Sequence, residues 1–239
     1  MSERLHVAAY ILTEAAQEPD PYHLPIRVAH ALRIGMRAEG AAVTLMPHTA
    51  TAQLLCASDD VVLRLEELQF EVGRGPGMAC AAIGQPVVVA DSRQVHPQWP
   101  VYSTLVGEQL PQVRALWAFP VVRGYEVLGS VLLYRTCRWP ARPGEVEQGR
   151  LAARAVARLL EDMDSTMLAE NGGRLWEPRE VVESHWGSAH RAAGALGEHL
   201  GLPVSDALLL MRARALSTNT PLPQLAASIT RNPASWDNH

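Results

Sequence analysis

The chain has no lysine: all 21 of its basic residues are arginine. That absence excludes a Schiff-base lysine, a P-loop lysine and any lysine-acetylation switch. Cysteine is scarce. Cys56, Cys80 and Cys137 are far apart and form no CxxC pair, so three reduced thiols in a cytoplasmic protein are expected. Long apolar runs are missing too, and none reaches the roughly 20 residues of a membrane span. The first residues lack a basic stretch followed by a small-residue cleavage site, which argues against a signal peptide. Excess positive charge is also lacking. A formal charge of -4 argues against broad, non-specific coating of nucleic acid, but leaves room for a small, directed RNA or DNA site.

What is present is the composition of a globular protein, 48% hydrophobic and 19% charged. Its 239 residues suit one large domain or two small ones. Helical stretches are expected at 4–16 and 24–38. Strand-like runs follow at 42–46, 52–56 and 66–72, then a short small-residue helix at 78–83 and a strand at 86–91. After a loop holding Trp99, Pro100 and Tyr102, the runs 113–122 and 125–135 read as a hairpin turning at Arg123-Gly124. A helix over 144–169 closes the region. Helices around mainly antiparallel strands imply an α+β domain with one central sheet, spanning 1–170. Asn171-Gly172-Gly173 and Pro178 mark a linker at 171–178, and residues 179–239 read as an all-helical unit.

In that unit Val182, Trp186, Ala189, Ala193, Leu196 and Leu200 are spaced 4, 3, 4, 3, 4, a heptad seam. Gly201 is a helix stop. Pro203 opens a second helix with Val204, Leu208, Met211 and Ala215 on one stripe. Asn219-Thr220-Pro221 restarts a third, with Leu222, Leu225, Ala226 and Ile229 inward. So small a bundle has a marginal core, and its first helix could gain stability by pairing with a second chain as a homodimer.

The candidate sites are few. Gly73-Arg74-Gly75-Pro76-Gly77 has G-x-G-x-G spacing with Pro76 inside, whereas a nucleotide fingerprint needs G-x-G-x-x-G; a tight structural loop is expected. The nine histidines do not cluster at ligand spacings, so no metal site is expected, and His185, His190 and His199 read as a solvated helix face. Asp59-Asp60 and Glu66-Glu67 read as a polar, solvated turn. No nucleophile–base set is present, so no catalytic residue, no enzyme activity and no cofactor are expected. Phe70, Met78, Trp117 and Phe119 could line a ligand pocket between sheet and helices, or simply pack the core. Arg191, Arg212 and Arg214 could contact phosphates or bases, or lie on a solvated face.

Two stretches carry a family resemblance. Leu68-Gln69-Phe70-Glu71-Val72-Gly73-Arg74-Gly75-Pro76-Gly77 resembles the L-Q-[FY]-x-x-G-E-G-P segment of GAF sensor domains in actinobacterial regulators, with Arg74 at the acid's place. Gly84-Gln85-Pro86-Val87-Val88-Val89-Ala90-Asp91, Arg114–Val121 and Leu128–Arg135 continue the series. Further on, His190-Arg191-Ala192-Ala193-Gly194, Leu200-Gly201-Leu202, the 206–215 helix and Pro221-Leu222 with Leu225-Ala226 are similar to the three helices of an ANTAR domain. The resemblance implies a GAF sensor for an unknown small molecule, followed by an ANTAR-like unit. ANTAR helices bind paired RNA hairpins and prevent transcription termination, usually as a dimer, and the resemblance places contacts at Arg191, Gly194, Arg212 and Arg214. A DNA-binding or protein-docking regulator, or a dimeric scaffold without RNA binding, is the alternative. From Glu177 onward five arginines face six acids, so this unit lacks a basic balance.

Overall fold

The computed structural model describes residues 10, 11, 13, 24–46, 52–140, 142–170 and 186–238. Most of the expected 4–16 helix, the 171–178 linker, Val182 and His185 lie outside them. The core is a five-stranded antiparallel sheet built from β1 (Gly40–Leu45), β2 (Gln53–Ala57), β3 (Val87–Val89), β4 (Ala115–Arg123) and β5 (Glu126–Arg135), in the order β2-β1-β5-β4-β3. The β4 and β5 sequences, ALWAFPVVR and EVLGSVLLYR, are rich in branched and aromatic residues, which suit a pleated surface. Arg123 pairs with Glu126 across a turn where Gly124 takes φ 59°, a left-handed value glycine adopts freely.

Both faces of the sheet are covered, and the period-two alternation of side chains sorts them. Val43, Leu55, Ala115, Trp117, Phe119, Val131 and Leu133 face α1 (Leu24–Gly35) and α5 (Pro143–Glu170). Ala42, Leu54, Leu116, Ala118, Leu132 and Tyr134 face the other way, beneath α2 (Asp60–Val72), α3 (Pro76–Ile83) and α4 (Pro100–Gln109). This is the expected α+β layer arrangement. Two local expectations fail. Residues 66–72 belong to a helix, because Val62, Leu65, Glu66 and Gln69 repeat at i, i+3, i+4 and i+7 and are all buried. The stretch around Tyr102 is also a helix; Pro100 sits in its first turn, where a missing N–H does no harm.

The C-terminal helices are α6 (Trp186–Leu200), α7 (Val204–Ser217) and α8 (Leu222–Arg231). Gly201, at φ 68°, follows the last residue of α6 as expected. Trp186, Ala189, Ala193 and Leu196 of the seam are buried, but against the chain's own helices. They join one continuous apolar cluster with α2 and the sheet face beneath it. That corrects the expectation of a seam left open for a second chain. Among the described residues no helix is long and apolar enough to cross a membrane.

Candidate functional site

Helix α2 organises the site. Asp59 caps it, its Oδ1 accepting the amides of Val61 at 2.9 Å and Val62 at 3.0 Å. Gly73, at φ 73°, ends it and donates its N–H to the Gln69 carbonyl. On the outer face Arg64 pairs with Glu67 at 2.9 Å and Glu71 at 2.8 Å. On the inner face Glu66 and Gln69 are each only 1% exposed. The acidic pair Glu66-Glu67 is therefore split between core and surface, which corrects the expectation of a solvated turn.

Gln69 is fixed at both ends. Its Nε2 donates to Glu66 Oε2 at 3.1 Å, and its Oε1 accepts the Gly77 amide at 2.7 Å. Gly75 lets this happen, since a Cβ there would run into the Gln69 side chain. The glycine loop thus wraps a glutamine, and Gln69 takes up one of the amides in the first turn of α3.

Around this pair stand other buried polar groups. Thr44 of β1 lies opposite Ser130 of β5 in the sheet register, and both are wholly buried. Tyr102 of α4 is 1% exposed. Among the described residues Glu66 Oε1, Thr44 Oγ1, Ser130 Oγ and Tyr102 Oη make no hydrogen bond within 3.5 Å. Burial pushes the Glu66 carboxyl up to about 7, against the smaller pull of Thr44 and Gln69 toward the ionised form. Burial, and then the charge of Glu66, raise the Tyr102 phenol well above its ordinary value. Each such group carries a desolvation penalty of about 1–3 kcal/mol, which makes the cluster the candidate site.

The next residue of α2, Phe70, points into the C-terminal helices. Its ring stacks on Trp186 at 4.5 Å and 9°, and His190 meets it edge-on at 5.3 Å. Arg212 Nε donates to the Phe70 carbonyl at 2.7 Å, with the guanidinium carbon 4.9 Å from the ring centre. Burial lowers Arg212 to about 10 and draws His190 below its usual value. His190 Nε2 stands 3.3 Å from the Ala52 carbonyl, so this histidine belongs to the packed contact and not to a solvated face. A cavity of about 230 Å³ lies beside the stack, lined by Arg64, Glu67, Phe70, Glu71, Trp186, Pro221, Leu222 and Pro223.

The four expected pocket residues do not share a pocket. Phe70 lies at the contact with α6. Met78 lines a separate open groove of about 700 Å³ with Met46, Ala81, Ala82 and Tyr125. Trp117 and Phe119 are on the opposite face of the sheet, where Trp117 stacks on Trp139 at 4.1 Å and donates to its carbonyl at 3.1 Å. The residues that do converge, Thr44, Glu66, Gln69, Tyr102 and Ser130, escaped sequence reasoning; the helical repeat of Val62, Leu65, Glu66 and Gln69 was the available signal. The expected RNA contacts have different surroundings. Arg191 is exposed on α6, and Gly194, three residues on, opens onto empty space. Arg212 is half-buried against Phe70, and Arg214 lies 3.3 Å over the Trp236 ring and donates to its carbonyl at 2.8 Å. Cys56 and Cys80 are buried thiols pushed up to about 12, which keeps them neutral and unreactive. Among the described residues no His, Cys, Asp and Glu group could hold a metal.

The GAF domain family profile matches residues 26–160. The fold is similar to the GAF domain of a phosphoenolpyruvate-protein phosphotransferase from Coxiella burnetii, at 14% identity and a TM-score of 0.55, covering 70% of this chain and 98% of that one. It is also similar to the Acinetobacter GAF domain of a phosphoenolpyruvate-protein phosphotransferase, at 9% identity and TM-score 0.52, over 73% of this chain and 99% of the other. The A. aeolicus nlh2 GAF domain in an inactive state matches at 14% identity and TM-score 0.51, over 67% and 96%. No curated protein matches the chain in sequence.

Proposed function

The chain belongs to the GAF domain family, and from that premise we propose that it is a cytoplasmic, signal-responsive regulator whose C-terminal helices are the output. One observation carries the reading. Consecutive residues of a single helix face both parts: Glu66 and Gln69 line the buried polar cluster, and Phe70 touches Trp186 and Arg212. A ligand that shifts α2 therefore biases the helical unit, provided it binds one arrangement better than the other. No catalytic step is part of this reading, and residues 1–170, 171–178 and 179–239 act as sensor, linker and output.

The finer proposal is that the output is ANTAR-like and binds RNA hairpins to prevent transcription termination. It rests on the resemblance of the 190–226 run. It is supported by exposed Arg191 beside open Gly194, and by Arg212, which has no acidic partner among the described residues. Arg212 must leave Phe70 to reach a phosphate, so in this reading the contact with α2 holds the output in check. A homodimer uses the apolar pair Leu209 and Leu216 of α7, which are 58% and 45% exposed at seven-residue spacing. The same pair favours the second reading, a protein-docking regulator that has lost RNA binding. Binding of a two-hairpin RNA against duplex DNA across a salt series decides between them. A folded protein that binds no RNA at low salt sinks the RNA proposal and leaves the docking one.

A further inference from the structure

We propose that Glu66, Thr44, Ser130 and Tyr102 form the head-group subsite for a small organic cation, a primary ammonium or an amidinium. The proposal rests on the reading of this sheet face as the sensor's ligand site and names the ligand class. The four groups come from four elements, β1, β5, α2 and α4, yet meet. Thr44 and Ser130 are cross-strand neighbours. Ser130 Oγ lies so near Gly77 that a Cβ there would stand 2.9 Å away. Thr44 acts on Glu66, and Glu66 acts in turn on Tyr102. All four side chains are at most 1% exposed, and each has an oxygen that makes no hydrogen bond within 3.5 Å among the described residues. Buried polar groups left without a hydrogen bond are destabilising, so the cluster favours an occupant that supplies the missing bonds.

The chemistry of the set selects the occupant. All four oxygens can accept a hydrogen bond. The one ionisable to a charge at neutral pH is a carboxylate, and among the described residues no cation offsets it: burial, Thr44 and Gln69 act on Glu66. The nearby amide of Gly77 at the start of α3 is already taken by Gln69. An anion would meet an unscreened carboxylate and no charged donor. An ammonium or amidinium instead directs one N–H to Glu66 Oε1 as a charge-assisted bond and the others to the hydroxyls. The rest of this face, with Leu65, Leu116, Ala118 and Leu132, is apolar and suits an apolar remainder of the ligand.

The test uses the full chain and three isosteric probes, acetamidinium, acetamide and acetate. Their methyl signals are followed by saturation-transfer NMR titration at about pH 8, where Glu66 is ionised. Acetamidinium binds at least about tenfold more tightly than acetamide, and acetate does not bind. Glu66→Gln abolishes that preference. Thr44→Val and Ser130→Ala weaken acetamidinium while the chain still melts cooperatively, which keeps the test valid if the Glu66 variant misfolds. Equal or tighter binding of acetamide or acetate, lost in Thr44→Val, overturns the cation class and leaves the face a ligand site. Failure of all three probes to bind overturns the ligand-site reading together with the class.

Discussion

Glu66→Gln separates a functional carboxylate from a structural one, because its effect on stability must depend on pH. Burial moves the carboxyl from its ordinary 4.5 to about 7 in the folded chain. Below pH 4.5 both folded and unfolded chains hold the proton, and the group is neutral to stability. Between 4.5 and 7 the folded chain keeps a proton that the unfolded chain has released, so stability falls as pH rises. Above that window the penalty is complete, at about 3 kcal/mol. Glutamine has the same shape, can accept the Gln69 Nε2 bond, and offers its own N–H groups to Thr44, Ser130 and Tyr102. The variant is therefore more stable than the wild type by about 3 kcal/mol at about pH 8.5. At pH 4.5 the two agree within about 1 kcal/mol, the net worth of one hydrogen bond. Urea unfolding followed by circular dichroism measures both, with equal slopes required for the comparison. A variant equally destabilised at both pH values refutes the reasoning, as does a wild type that gains stability from acid to neutral pH. Either result means that a partner compensates the carboxylate.

The remaining predictions concern the contacts around it. Trp186→Ala removes the stack on Phe70 at a cost of about 3–5 kcal/mol, and hydrogen exchange should quicken in α6 while β4 and β5 stay protected; equal loss in the strands means sheet and helices unfold as one. Gly75→Ala forces a Cβ against Gln69 and lowers stability by about 1–3 kcal/mol in thermal melts, whereas an unchanged melting temperature contradicts the packed loop. Arg191→Ala weakens two-hairpin RNA binding and reduces the salt slope by about one, with no change in melting. Arg214→Ala lowers melting because it releases Trp236, and a pure affinity effect would place it on the RNA instead. Leu209→Glu lowers the mass seen by light scattering; an unchanged mass moves the dimer contact off α7.

The parts of the fold that showed in the sequence are those set by local physics. The β4–β5 hairpin was legible because dense branched and aromatic runs flank a glycine that can take positive φ. The α6 seam was legible from its heptad spacing, but spacing does not say whether the partner is another chain, and here it is α2, α7 and α8. Helix α2 reads as a strand over 66–72 because the adjacent acids Glu66-Glu67 hide its apolar repeat, although one acid is buried against Gln69 and the other pairs with Arg64. The candidate site was not legible. Trp117 and Phe119 share a face by their spacing of two, but which face α2 covers is decided by tertiary packing. Likewise Thr44 and Ser130 meet only through the β1–β5 register, which no local pattern states.

The most direct test of the account is a high-resolution crystal structure of the protein purified from its native cells, read at Thr44, Glu66, Gln69, Tyr102 and Ser130. The account predicts non-protein density hydrogen-bonded to Glu66 Oε1 and to at least one of the three hydroxyls. Side chains turned to satisfy one another, with nothing held between them, would contradict it.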